Sequence, residues 1–168
     1  MSCWLGLARR CNERALCLAG GVAFNCVANG EIFDATPFER VFVQPAAGDA
    51  GLSVGAAFAV NHEILGRPRG FVMEHAYWGP QFSPAEIRRV VKTIGPADSA
   101  EISEMDETEL VKTTARHIAA GDIVGWFQGA AEWGPRALGN RSILADPRRA
   151  EMKDILNRRI KHRESFRP

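Results

Sequence analysis

The sequence lacks any apolar run long enough to cross a bilayer. Its longest, residues 51–60 (GLSVGAAFAV), falls far short of the roughly 20 residues a spanning helix needs. Residues 1–10 lack the cationic lead of a secretory signal, so the chain is expected in the cytoplasm and away from membranes. Cysteine is sparse: Cys3, Cys11, Cys17 and Cys26 form no C-x-x-C pair, which argues against a zinc site or redox motif and predicts reduced, buried thiols. His62, His75, His117 and His162 match none of the metal-pair spacings H-x-x-H, H-x-x-x-H or H-E-x-x-H. A nucleophile elbow and a G-x-G-x-x-G fingerprint are also missing, which sets serine-hydrolase and nicotinamide chemistry aside. There are no internal repeats or low-complexity tracts.

What is present is the composition of an ordinary globular protein, 46% apolar and 24% charged, in 168 residues. The net charge of +1 hides an uneven distribution. Residues 134–168 hold ten Lys and Arg against four Asp and Glu, whereas residues 1–133 hold eleven against sixteen. The last segment is therefore an anion-attracting surface. Nucleic-acid binding through it is disfavoured, because aromatic residues barely interleave its charges.

The first third alternates between elements: a partial helix to about residue 14, a strand over 15–19, the Gly20-Gly21 turn and a short helix over 22–29. A strand over 40–44, a loop over 45–48 and a small-residue helix over 50–65 repeat the pattern, which predicts an α/β layer structure. Residues 66–79, with glycines at both ends, a proline and no periodicity, read as a domain boundary. Beyond it, Ser83-Pro84-Ala85-Glu86 and the acidic box at Asp106 to Glu109 predict helices over 84–94 and 107–120. A strand over 122–127, a glycine-rich loop and a helix over 148–160 with Met152, Ile155, Leu156 and Ile160 on one face complete the pattern. Both termini fall inside patterned segments, so both ends are expected to be cut.

Four segments could carry chemistry. In LAGGVAFN, Gly20 and Gly21 either allow a phosphate close to the backbone or simply relieve a tight turn. In PAAGDAG, Asp49 stands where a strand gives way to a helix and could hold a metal or cap that helix. In AEWGPRALGNRS, Arg136, Arg141 and Ser142 offer donors of fixed geometry suited to a phosphate or a planar carbonyl group. In RIKHRESFR, Lys161 and Arg163 would project to the same side of an extended strand and could grip one polyphosphate, unless the segment is a solvated charged helix end.

Together these segments resemble the O-carbamoyltransferase family of nodulation-factor and antibiotic biosynthesis, over nearly the whole chain. The resemblance implies a partial actin-like ATPase-type domain over 1–66 and a partial threonylcarbamoyl-adenylate synthase-like domain over 70–168, both α/β. It implies ATP and carbamoyl phosphate as ligands, a divalent metal (iron, manganese, zinc or magnesium) and a hydroxyl-bearing small-molecule acceptor. By position, Gly20, Gly21, Asn25 and Gly48 match the nucleotide-binding turns and Asp49 the metal-binding aspartate. Arg136, Arg141, Lys161 and Arg163 match the catalytic cations, with Ser142 beside them in the carbamoyl phosphate and ATP site. The family's metal-binding histidine pair lies in a region this sequence does not contain. Phe24 stands where the family usually has leucine. A non-catalytic nucleotide- or anion-binding piece is the alternative reading.

Overall fold

The computed structural model describes residues 2–95 and 101–165. Short helices and short strands alternate, and the chain divides into two compact units, Met1–Ala76 with Trp133–Arg136, and Tyr77–Glu132 with Ala137–Pro168.

In the first unit, helix α1 (Ser2–Arg10) leads to strand β1 (Ala15–Leu18), which pairs in parallel with β2 (Arg40–Val43). Leu16 faces Val41 in this register and Leu18 faces Val43. A parallel pair needs a crossover. Here the crossover is a 3-10 turn (Gly21–Phe24) followed by helices α2 (Cys26–Gly30) and α3 (Ile32–Ala35). The single helix expected over 22–29 is thus split at Asn25. That residue leaves helical space, at φ −76° and ψ 87°, and its Oδ1 accepts from the Ala28 N–H at 3.1 Å, capping a new helix instead of sitting inside one.

Leu16, Ile32 and Phe38 form the buried cluster of this unit, with Trp4, Ala8, Leu18 and Val41 against it. Strand alternation turns Leu16 towards the cluster and Cys17 away from it. All four cysteines are free as expected, but Cys3, Cys17 and Cys26 are exposed and Cys11 is half-exposed, so the expectation of buried thiols fails. The helix expected over 50–65 is a composite: a 3-10 turn (Asp49–Gly51), α4 (Leu52–Ala59) and a π turn (Val60–Ile64).

In the second unit, α5 (Pro84–Ile94) opens with the expected reciprocal box. The Ser83 Oγ accepts from the Glu86 N–H at 3.3 Å, and Glu86 Oε2 accepts from the Ser83 N–H at 2.8 Å. Helix α6 (Glu107–Ala120) shows half of such a box, Asp106 Oδ1 accepting from the Glu109 N–H at 2.9 Å, and stops at left-handed Gly121. Strands β3 (Val124–Phe127) and β4 (Arg141–Leu144) pair antiparallel, with Phe127 opposite Arg141.

Helix α7 (Met152–Arg159) begins later than its pattern suggests, because Asp146 captures the residues before it in a turn. One of its oxygens accepts from the Arg148 N–H at 3.0 Å and from Nε at 2.8 Å, and the other accepts from Nη2 at 2.8 Å. These bonds from Arg148 hold the Asp146 carboxyl at about 2, well below its ordinary value. Met152 is buried, Ile155 and Leu156 are half-buried, and Ile160 is exposed, so the apolar stripe is covered only along its first turns.

Candidate functional site

The strands of the parallel pair both run into loops built of small residues, and the two loops meet. The Gly20 N–H donates to Ala47 O at 2.7 Å, which ties the glycine turn after β1 to the PAAGDAG loop after β2. Carboxyl ends of adjacent parallel strands are where open α/β sheets take their ligands. Gly20 has φ 94°, a backbone state that side chains rarely allow, so glycine is required there for the turn itself. Gly48 is the residue before the 3-10 turn, and no side chain caps that turn. The capping reading of Asp49 therefore falls away: Asp49 is the first residue inside the turn and is exposed.

The segment Trp133–Arg136 belongs to this first unit. The Trp133 N–H donates to Ala76 O at 2.7 Å, and Arg136 Nη2 donates to Phe24 O at 2.5 Å. The Arg136 guanidinium carbon lies 5.7 Å from the centre of the Phe24 ring, whose Cε2 would stand 3.3 Å from a Cβ placed on Gly48. Gly20, Gly21, Asn25, Gly48, Asp49 and Arg136 thus occupy one unit, with Phe24 as the contact that joins Arg136 to the glycine turn. In the sequence Phe24 stands out only as a departure from the family's usual leucine.

The parts of the loop between β3 and β4 that lie in the second unit are held by several hydrogen bonds. Glu132 Oε1 accepts from three backbone N–H groups, those of Leu138 at 2.7 Å, Asn140 at 2.8 Å and Arg141 at 3.2 Å. Burial works against the Glu132 charge. The bonds from Leu138, Asn140, its own backbone and Arg141 outweigh it and bring the carboxyl to about 2, against an ordinary 4.5. Arg141 spends both amino groups on carbonyl oxygens. Nη1 donates to Gln128 O at 2.6 Å and Asn140 O at 2.9 Å, and Nη2 to Gly129 O at 3.1 Å and Pro80 O at 3.2 Å. Its guanidinium carbon lies 3.5 Å from the centre of the Phe127 ring. Ser142 Oγ accepts from the Gly139 N–H at 2.9 Å, and Tyr77 donates its hydroxyl to Leu138 O at 2.8 Å.

After α7 the chain does not extend. Ile160 and Lys161 both donate their N–H groups to Leu156 O, and His162 takes φ 47°, a left-handed state. The expected two-residue alternation of Lys161 and Arg163 is therefore broken, because a left-handed residue between them reverses the chain. Arg163 instead donates from Nε to Asn157 Oδ1 at 2.7 Å and from its backbone N–H to Asn157 O at 3.0 Å. Arg158, His162, Arg163 and Glu164 line an open cavity of about 550 Å³ here, a mainly cationic hollow. The Phe166 to Pro168 end of the motif lies outside the described residues.

No group of three or more His, Cys, Asp or Glu stands together among the described residues. Asp49 therefore stands in no such group among the described residues. No helix among the described residues is long and apolar enough to cross a membrane.

Residues 6–58 match the family profile described as carbamoyltransferase N-terminus, and residues 115–168 match that described as carbamoyltransferase C-terminus. The chain belongs to the carbamoyltransferase family. Nodulation protein NolO of Bradyrhizobium diazoefficiens is 46% identical over 154 residues, 91% of this chain and 27% of that protein. An uncharacterised protein of Synechocystis sp. is 48% identical over 157 residues, again 91% of this chain and 25% of the relative. The 3'-hydroxymethylcephem-O-carbamoyltransferase of Streptomyces clavuligerus is 34% identical over 159 residues, 91% of this chain and 27% of the enzyme. The chain thus spans about a quarter of the length of these relatives. The N-terminal match contains the two joined loops. The C-terminal match contains the Glu132 loop and Arg136, although Arg136 packs in the first unit.

Glu132, Phe24 and Tyr77 are the site-shaping residues that sequence reasoning missed. Glu132 had a signal: an acidic residue opening a glycine-rich loop, with several free N–H groups a few residues on, follows the logic of a helix capping box.

Proposed function

We propose that this chain is part of an ATP-dependent O-carbamoyltransferase. Carbamoyl phosphate and ATP yield carbamoyl-adenylate, with water taking the phosphate and pyrophosphate leaving. An acceptor hydroxyl then attacks the carbamoyl carbon, its proton goes to a base, and AMP departs. The reading is carried by the two carbamoyltransferase matches, which fall in family order on the two halves of the chain, each over one of the built loops.

In this reading the first unit is the ATPase-like part and the second the synthase-like part. The Gly20-Gly21 turn, Asn25 and Gly48 approach the nucleotide, and Asp49 gives one oxygen ligand to a divalent metal. Arg136, anchored on Phe24 O, places a fixed cation beside these loops. In the second unit Ser142 and Lys161 face the phosphates and the carbamoyl oxygen, and Arg163, held by Asn157, lends its charge nearby. Arg141 contributes its charge from a guanidinium held on carbonyls, where it costs no reorganisation during reaction.

The experiment is calorimetric titration of this chain with ATP and with carbamoyl phosphate, beside a pyrophosphate-release assay. Binding of both ligands, weakened in Lys161→Ala, is the expected result. Binding without any release would favour the non-catalytic anion-binding reading for this piece, and binding of neither would refute the proposal.

A further inference from the structure

We propose that Glu132 is the positioning residue of the GPRALGNRS loop, an internal anion around which the ligand-facing groups of that loop are arranged. The inference rests on the adenylating role given to this loop above, and it assigns a task to a residue outside the set of ligand-facing cations.

The geometry is specific. The N–H groups of Leu138, Asn140 and Arg141 all converge on one oxygen of Glu132, at 2.7, 2.8 and 3.2 Å. Three N–H dipoles aimed at one point repel one another unless something negative sits there, so the turn over residues 138–141 requires an anion at its focus. The sequence supplies that anion from the chain itself. Glu132 also stands immediately before Trp133–Arg136, the segment that belongs to the first unit, while its three partners stand just after it. Its carboxylate therefore links residues that flank this segment in the sequence.

Two groups of the proposed site depend on this focus, Arg141 through its held charge and Ser142 through its hydroxyl. Arg141 donates its backbone N–H to Glu132 and turns its guanidinium to four carbonyls. Ser142 Oγ accepts from the Gly139 N–H, between two of the Glu132 partners, and so keeps its hydroxyl proton for a ligand oxygen. Removing the carboxylate lets the turn rearrange, and both groups then lose their aim. Glutamine keeps an acceptor oxygen at the same reach and is the conservative replacement. Aspartate is one methylene too short.

The test compares wild type with Glu132→Ala and Glu132→Gln, using ATP and carbamoyl phosphate as the probes in calorimetry and amide hydrogen exchange as the local readout. In Glu132→Ala the expected result is affinity reduced by about tenfold or more, with fast exchange at residues 138, 140 and 141 and unchanged protection in the β3–β4 ladder. Glu132→Gln, which keeps the acceptor oxygen but not the charge, should lose less, falling about threefold to tenfold below wild type. Formate added to Glu132→Ala should restore part of the affinity by occupying the vacated focus, which a merely structural role would not produce. Unchanged affinity in Glu132→Ala would overturn the inference. So would equal losses in both variants with the ladder exposed, because Glu132 would then be a stability residue. Wild type that binds neither probe would instead overturn the adenylating role, and this inference with it.

Discussion

Arg141 makes a commitment whose size can be worked out from its bonds. Its guanidinium holds four carbonyl oxygens and lies 3.5 Å over the Phe127 ring. A hydrogen bond of this kind nets about 0.5–1.5 kcal/mol, and the lower end applies in a half-buried loop whose carbonyls water can reach after truncation. The cation over the ring adds about 0.5–1 kcal/mol. Arg141→Ala should therefore destabilise the β3–β4 region by about 3 kcal/mol. Arg141→Lys should cost about 1–2 kcal/mol, since one ammonium cannot span acceptors that a planar fork reaches together. Amide exchange at Val124 to Phe127, under conditions where opening limits exchange through its equilibrium, should run roughly 100-fold faster in the alanine variant. Exchange within about threefold of wild type, accompanied by lost affinity for phosphate ligands, would refute the clamp and make Arg141 primarily a ligand contact.

Other expectations are local. Gly134, at φ 127°, lies so close to Pro45 O that a Cβ would overlap it, so Gly134→Ala should lower stability by about 2–4 kcal/mol in a urea titration, while alanine at open Gly70 should cost little. Acid should act through Glu132 and Asp146, whose carboxyls sit at about 2 in the folded chain against ordinary values of 4.5 and 3.8. Depressed values mean that their contribution is complete above about pH 4.5 and is lost as pH falls towards 2. Glu132→Gln should therefore flatten the pH dependence of stability in that window, and an unaltered slope would count against the Glu132 bonds.

Much of the local structure was legible in the sequence. The boxes at Ser83 and Asp106 set the starts of α5 and α6, and alternating short strands and helices led to an α/β reading that includes β1 and β2, because these signals act within a few residues. The split at Asn25 was not read, since a small-residue run looks helical until one side chain turns back to cap its own neighbours. The placement of Arg136 left no local trace: its partner Phe24 is 112 residues away. His162 defeated the strand reading because left-handed backbone at a histidine follows from the Leu156 and Asn157 carbonyls behind it, not from its own side chain.

Trp133 to Arg136 also bears on modularity. A gene cut after Ala76 would yield a first unit without the donor to Ala76 O, without the cation on Phe24 O and without the glycine beside Pro45 O. No single crossover point separates the two units, because four residues of one are encoded inside the other. Recombination that exchanged the first unit alone would have to bring a compatible tetrapeptide with it.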